Sequence, residues 1–167
     1  DAHVIAKIKP RHKIDAAVVG YTIGDKGVRD LMLAVAHPDM RMQMFAVGST
    51  GLTEQMRCEM AEQLSGMHVE SQYIVSDSRG VAYQMVKPVI VVEVSVIGLV
   101  AKGGDDKVKT NPISQDDSQE GWTMLNMQSG VSALGLTIEK VRTDKTVNSV
   151  DVRVSQLSDI CPFEEQD

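Results

Sequence analysis

Runs of apolar residues of strand length, separated by turn-forming residues, predict an antiparallel β fold. The runs are rich in β-branched residues, which favour strands. Glycine-bearing turns such as 24–27 stand between them, where glycine adopts backbone angles that other residues avoid. We predict strands at 14–21, 31–36, 41–46, 73–75, 81–86, 89–96, 122–127 and 136–141. Residues 151–154 are either a further short strand or a terminal turn.

One segment departs from the strand pattern and predicts a single short helix. Met56, Met60 and Leu64 recur at a spacing of four, which places them on one helical face. Thr53 is the predicted N-cap, and Gly66 stands where a helix ends. A helix after the third strand, inside a strand series, is typical of an OB fold. The fold class we predict is mainly β, an OB-fold antiparallel barrel with one short α-helix.

Residues 102–121 are polar, acidic and glycine-bearing, so we predict a long mobile loop there rather than a domain linker. Residues 14–160 then form the barrel domain, including this loop. Residues 161–167 are a tail.

Composition places the chain among ordinary globular proteins, with 43% apolar and 24% charged residues. The net charge of −6 counts against nucleic-acid binding, although basic residues crowd the stretch 7–13. Cys58 and Cys161 show no disulfide or metal-ligand spacing, and the four histidines show no zinc or triad spacing. No apolar run has membrane-spanning length. We expect an intracellular protein, in a bacterial cytoplasm or a nucleus, that has no metal site and no membrane contact.

Two short motifs carry a family resemblance. Lys7-Ile8-Lys9-Pro10, followed by the strand 14–20, resembles motif V (K-x-K) of the covalent nucleotidyltransferase superfamily, which includes the ATP-dependent DNA ligases. Arg142-Thr143-Asp144-Lys145 resembles motif VI, R-x-D-K. Their order and separation also resemble the ligase pattern. Further likenesses lie at 48–56, 88–94 and 130–132, so that the resemblance spans roughly residues 5 to 157.

The resemblance implies the C-terminal OB domain of an ATP-dependent DNA ligase, with residues 1–13 as the end of the nucleotidyltransferase domain and the hinge. Lys7 and Lys9 are then nucleotide-binding residues that bracket one phosphate. Arg142 and Lys145 meet the β- and γ-phosphates of ATP, and Asp144 orients them. These three residues are the expected catalytic set.

The resemblance also implies partners and limits. Lys26 and Arg29, in a glycine-bearing loop, are the expected contacts to DNA phosphates. The expected partners are nicked double-stranded DNA and the adenylation domain of the same polypeptide, in a monomer that serves DNA replication or repair. Magnesium is then a cofactor of the complete ligase, with no binding site in this chain. The sequence contains no K-x-D-G, the motif of the adenylated lysine, so we expect this fragment to be inactive by itself.

Other interpretations stay open from the sequence. The same lysine pair and R-x-D-K occur in RNA ligases and mRNA capping guanylyltransferases. A non-catalytic OB-type nucleic-acid-binding module is a third candidate, although such modules usually stack bases on aromatic residues, which are few here. In the plainest interpretation, the K-x-K is a solvated basic strand, the R-x-D-K a surface ion cluster and the loop at 24–29 a simple hairpin.

Overall fold

Most strands of the computed structural model lie where the sequence predicts them, and several further strands are present. The structure describes residues 11–72, 74–117 and 121–163. Within these ranges the elements, in chain order, are β1 (His12–Gly24), β2 (Gly27–Ala36), β3 (Met42–Gly48), α1 (Glu54–Ser65), β4 (Gln84–Met85), β5 (Val91–Val96), β6 (Gly98–Val100), β7 (Thr110–Asp117), β8 (Gly121–Ser129), β9 (Ser132–Leu134), β10 (Thr137–Val141) and α2 (Ser155–Ile160).

Eight of the strands form one antiparallel sheet. Its order is β10-β5-β1-β2-β3-β7-β8, with β4 paired to β1, while β6 and β9 form a separate two-stranded sheet. The end strands β10 and β8 do not pair with each other, so the sheet is not closed by hydrogen bonds. The prediction of a mainly β, OB-like fold is confirmed, with a second short helix, α2, added to the predicted one.

Strand β1 pairs with β2, β4 and β5, and most of its residues are buried on both faces of the sheet. Ile14 and Val18 on one face pack into the larger apolar cluster with Leu33. Ala17 and Val19 on the other face pack into a second cluster that contains the fully buried Trp122. A strand covered on both faces has no polar side, which explains the nearly continuous apolar run in the sequence.

Helix α1 forms as predicted. The hydroxyl of Thr53 accepts a hydrogen bond from the backbone N–H of Met56 at 3.1 Å, which satisfies one of the free donors of the first turn. Met60 and Leu64 are buried against the larger cluster. The backbone N–H of Gly66 ends the helix by donating to the carbonyl of Gln63.

The turn before α1 packs directly on β10. The backbone N–H of Ile138 donates to the carbonyl of Thr50 at 2.7 Å. Gly51 has a φ of +96°, and a Cβ at this position would lie only 2.1 Å from the carbonyl oxygen of Ile138. Glycine is therefore required here both for the backbone angle and for the close approach.

The predicted strands at 73–75 and 81–86 are largely wrong. Within the described part of this region, regular pairing is limited to β4, and the remaining contacts are isolated ones such as the hydrogen bond from the backbone N–H of Tyr83 to the carbonyl of Val75 at 2.8 Å. Tyr73 lies outside the described residues. A β-branched sequence favours extended backbone, but a strand also needs a partner along its length, and these residues mostly lack one.

The predicted loop at 102–121 is also wrong in its second half, which is the strand β7. Polarity misled the prediction because β7 buries polar side chains that are fully bonded. The amide of Asn111 donates to the carbonyl of Val131 at 3.0 Å and its oxygen accepts from the N–H of the same residue at 2.9 Å. That oxygen also accepts from the amide of Gln43 at 2.9 Å. Buried polar groups satisfied in this way fit inside a sheet.

The chain after β10 returns to the sheet and separates the start of β1 from the end of β2. The backbone N–H of Ala36 donates to the carbonyl of Val152 at 2.7 Å, and its carbonyl accepts from the N–H of Val154 at 2.8 Å. Residues 152–154 thus take the place that β1 would otherwise fill beside Ala36. The predicted short strand or turn at 151–154 is a turn with one parallel bridge, between Ala36 and Arg153, and it leads into the unpredicted helix α2.

In the ranges that the structure describes, neither helix is long and apolar enough to cross a membrane.

Candidate functional site

The predicted R-x-D-K residues lie at the end of β10, beside the start of β1. The backbone N–H of Arg142 continues the strand ladder by donating to the carbonyl of Val91 at 2.8 Å. The chain then turns, and the N–H of Lys145 donates back to the carbonyl of Arg142 at 3.4 Å. The turn brings the side chains of Arg142, Asp144 and Lys145 to one place on the sheet.

Arg142 is the centre of an ion cluster. One edge of its guanidinium binds Asp144 with two hydrogen bonds, from Nε to Oδ1 at 3.0 Å and from Nη2 to Oδ2 at 2.9 Å. Its Nη1 donates to Oδ1 of Asp15 at 3.2 Å and to Oε1 of Glu93 at 3.3 Å. The guanidinium therefore spans three carboxylates, and this fixes its plane.

Asp15 connects the two cations of the motif. While its Oδ1 accepts from Arg142, its Oδ2 accepts from the ammonium of Lys145 at 2.5 Å. One carboxylate thus bridges a guanidinium and an ammonium. This is the arrangement that two oxygens of a phosphate group would also satisfy.

Strand register explains why a cation is needed at this position. Asp15 on β1 lies directly opposite Glu93 on β5. Like charges that face each other across a strand pair repel, and the side chains of Asp15 and Glu93 are only 13% and 11% exposed, so water screens them incompletely. Arg142 lies between them and offsets this repulsion. Lys13, two residues before Asp15 on the same face of β1, adds a weaker contact at 4.0 Å from Glu93.

The paired groups shift each other's ionisation. The hydrogen bonds from the Arg142 guanidinium hold the pKa of the Asp144 carboxyl far below its ordinary value of 3.8. The same hydrogen bonds, with help from the charges of Asp15 and Glu93, raise the pKa of Arg142. Arg142 and Asp144 therefore both stay charged throughout the neutral pH range.

Helix α2 holds the backbone of Asp15 in place. The side-chain amide of Gln156 accepts a hydrogen bond from the N–H of Asp15 at 2.9 Å and donates to its carbonyl at 3.0 Å. It replaces the strand neighbour that β1 lacks at this point, because residues 152–154 have displaced the end of β2. An open pocket of about 350 Å³ lies beside Lys145, and its lining also includes His12, Lys13 and Arg153.

Lys26 and Arg29 lie at the opposite end of β1, in and after the β1–β2 turn. About ten residues separate this turn from Asp15, or roughly 30 Å of strand. Both residues line an open pocket of about 410 Å³ together with Arg57 of α1. Lys26 forms an exposed ion pair with Glu54 at 2.6 Å. The structure thus brings the two predicted DNA contacts together, but well apart from Arg142.

The predicted nucleotide-binding residues Lys7 and Lys9 lie outside the described residues. The first described residue, Arg11, donates hydrogen bonds to the hydroxyl of Ser95 at 2.8 Å and to the hydroxyl of Thr137 at 3.1 Å. It also donates to the carbonyl of Gly135. The chain thus enters β1 beside the first residues of β10.

Sequence reasoning missed several residues of these sites. Asp15 and Glu93 are charged residues inside otherwise apolar strands. A charged residue in such a run is the sequence feature that could have identified them. No sequence feature distinguishes Gln156 and Arg57, since polar residues are common on short helices. Among the described residues, no group of three or more His, Cys, Asp and Glu side chains could hold a metal ion.

Comparison with known proteins gives matches at the level of structure. No model of a protein family matches the chain, and no curated protein matches its sequence. A mycobacterial DNA ligase D complexed with ATP and MES is similar, with a TM-score of 0.53 and 19% identity over 87% of this chain and 38% of that one. The ligase domain of LigD from M. tuberculosis is similar with a TM-score of 0.55 and 20% identity, over 87% of this chain and 39% of that one.

These likenesses confirm the fold expected from the ligase resemblance. The chain has the fold of part of each ligase structure and spans about two fifths of their length.

Proposed function

We propose that this chain is the OB domain of an ATP-dependent DNA ligase. In this proposal Arg142 and Lys145, with Lys7 and Lys9, bind the phosphates of ATP while a lysine of the adenylation domain is adenylated. Lys26 and Arg29 contact the backbone of a nicked duplex during sealing. The domain then lacks activity by itself, because the reacting lysine belongs to another part of the polypeptide.

One observation carries the proposal: Arg142 and Lys145 converge on the two oxygens of a single carboxylate, at 3.2 and 2.5 Å. A guanidinium and an ammonium so placed suit two phosphate oxygens. The shared fold with ligase structures supports the same conclusion, and one of those ligases is complexed with ATP.

The chemistry asked of these residues is positioning and charge stabilisation. Phosphoryl and nucleotidyl transfer depend mainly on in-line placement and on neutralising negative charge at the leaving group. Asp144 holds one edge of Arg142, so the remaining Nη1 is presented in a fixed direction. Lys145 adds a compact second charge. The two cations would orient the pyrophosphate leaving group, and magnesium would be held by other parts of the enzyme.

Chain connectivity supports the inclusion of Lys7 and Lys9. Lys9 precedes His12 by three residues, so at most about 10 Å of extended chain separates them. His12 and Lys13 line the pocket beside Lys145. Chain connectivity therefore allows Lys9, the last residue of the K-x-K motif, to reach the Arg142 cluster.

The position of the aromatic residues weighs against a base-stacking module. Single-strand-binding OB domains present exposed aromatic rings to successive bases. Among the described aromatic residues, Phe163 is half-buried, and the others are buried in the two apolar clusters: Tyr21, Phe45, Tyr83 and Trp122. Within this part of the chain, no aromatic platform is available on the surface.

The test uses the natural full-length polypeptide that contains this sequence, with labelled ATP or GTP and a nicked duplex. We expect label transfer from ATP to the protein and sealing of the nick. Arg142→Ala and Lys145→Ala should abolish label transfer but leave the joining of pre-adenylated nicked DNA intact. Lys107→Ala, which removes a cation from an exposed ion pair with Asp105, is the matched control. If both steps survive in the Arg142 and Lys145 variants, the proposed role is wrong; labelling by GTP alone would indicate a capping enzyme.

A further inference from the structure

The two cations of the site are already occupied by an internal anion. Asp15 offers one oxygen to Arg142 and the other to Lys145. Any phosphate that binds both cations must displace this carboxylate or share them with it. Asp15 therefore competes directly with the ligand of the proposed site.

The competitor can be displaced without disturbing the strand. The backbone of Asp15 is held on one side by β5 and on the other by the Gln156 amide. Neither contact involves its side chain. The bonds of Arg142 to Asp144 and to Glu93 do not involve Asp15, so they do not depend on the position of its side chain. The exchange is thus confined to one side-chain rotation beside the open pocket at Lys145.

Charge decides which anions can make the exchange. The cluster contains three positive groups, Arg142, Lys145 and Lys13, and three negative ones, Asp15, Glu93 and Asp144. A phosphodiester carries one negative charge, as Asp15 does, so it gains little by replacing it. A polyphosphate carries several charges and gains more from the same two cations.

We propose that Asp15 is an internal counter-anion that makes the Arg142–Lys145 pair select polyphosphate over singly charged phosphate. This inference rests on the function proposed above and adds a specificity-determining residue to it. Asp15 keeps the nucleotide-binding cations from holding a DNA backbone, and releases them when a polyphosphate arrives.

The experiment measures anion binding to this chain by amide NMR titration at low salt. The probes are sodium tripolyphosphate and dimethyl phosphate. The proteins are the wild type, Asp15→Asn, Asp15→Ser as a second replacement, and Asp39→Asn, which removes one negative charge elsewhere. The amide spectrum of each variant reports directly whether the fold is retained.

We expect the wild type to bind tripolyphosphate and to show no binding of dimethyl phosphate. Asp15→Asn and Asp15→Ser should bind tripolyphosphate about fivefold or more tightly, because one opposing charge has been removed. They should also acquire measurable binding of dimethyl phosphate, so that the ratio of the affinities for the two probes becomes smaller. Adding Lys145→Gln to Asp15→Asn should reverse both gains, whereas Asp39→Asn should behave as the wild type.

Two results would overturn the inference. If Asp15→Asn and Asp15→Ser bind both probes as the wild type does, Asp15 is not a competitor, although the proposed function stands. If no folded variant binds tripolyphosphate, the cation pair does not accept polyphosphate in this chain. The adenylation assay on the full-length polypeptide decides the proposed function separately.

Discussion

Gln156 binds both backbone groups of Asp15, with its amide oxygen 2.9 Å from the Asp15 nitrogen and its amide nitrogen 3.0 Å from the Asp15 oxygen. A side chain from a helix near the end of the chain thus completes the first strand of the sheet.

Gln156→Ala should lower the free energy of unfolding by about 1–2 kcal/mol, because two hydrogen bonds to half-buried backbone groups are lost. Chemical denaturation measures this change. Gln55→Ala is the control, since Gln55 is exposed on α1 and its side-chain amide donates to the Glu59 carboxylate. Equal effects of the two substitutions would contradict the role assigned to Gln156.

Arg142→Ala should lower the melting temperature because it leaves Asp15 and Glu93 facing each other without a shared cation. The double variant Arg142→Ala/Glu93→Gln should regain part of that loss, since one of the two opposed charges is then removed. Calorimetry on the single and double variants measures both steps. A double variant less stable than Arg142→Ala would show that repulsion between the carboxylates is not the cause.

The Asp144 carboxyl should titrate well below its ordinary pKa of 3.8, as followed by carbon NMR, and should return towards that value in Arg142→Ala. Because the pKa is lower in the folded state, the ion pair stabilises the fold fully above the unfolded-state pKa. This contribution is lost as the pH falls from about 4 through the folded-state pKa. The stability difference between wild type and Asp144→Asn should therefore shrink over that acidic range and stay constant at neutral pH. A difference that grew on acidification would refute the assignment.

Gly130→Ala should destabilise the fold by about 2–4 kcal/mol, since the added methyl group collides with a buried hydrogen-bond network. A Cβ at Gly130 would lie 1.9 Å from the side-chain oxygen of Asn111, which joins Gln43 to Val131. Urea denaturation gives the change. At Gly104 an added Cβ meets nothing within 4 Å, so Gly104→Ala should be nearly neutral.

Lys26→Ala and Arg29→Ala should each weaken binding of the full-length polypeptide to a nicked duplex, and each should reduce the salt dependence of binding by about one counterion. Fluorescence anisotropy over a series of salt concentrations measures both quantities. Lys102→Ala removes a cation from a different hairpin, where it pairs with Asp106, and should change neither. An unchanged salt slope in both variants would remove the turn from the proposed DNA interface.

The elements that sequence predicted well are those whose burial is regular. Strands β1, β2 and β5 are buried on both faces over most of their length, and α1 carries both a cap and a spaced apolar face. Strand β7 was missed because it buries two polar residues, Asn111 and Ser114, and polarity in a sequence does not reveal hydrogen-bond partners. Helix α2 has six residues and one buried side chain, Leu157, which is too little to establish a period.

The site was predicted only in part for a similar reason. The R-x-D-K residues are adjacent in the chain, so their motif could be recognised. Their main partner, Asp15, lies 127 positions before Arg142. A lone acidic residue in an apolar strand indicates that a cation must be nearby, but the partner cannot be identified from the sequence. Only the strand register supplies that answer.

The close approach of Gly51 to the Ile138 carbonyl limits how the R-x-D-K turn could be transplanted. A chimaera that moves residues 137–145 onto another barrel must also supply a position without a side chain opposite Ile138. Otherwise the grafted strand is pushed away from its neighbours, and Arg142 moves with it. For protein engineering, the turn at 48–51 and the R-x-D-K motif are therefore a single transferable part, although about 90 residues separate them in the sequence.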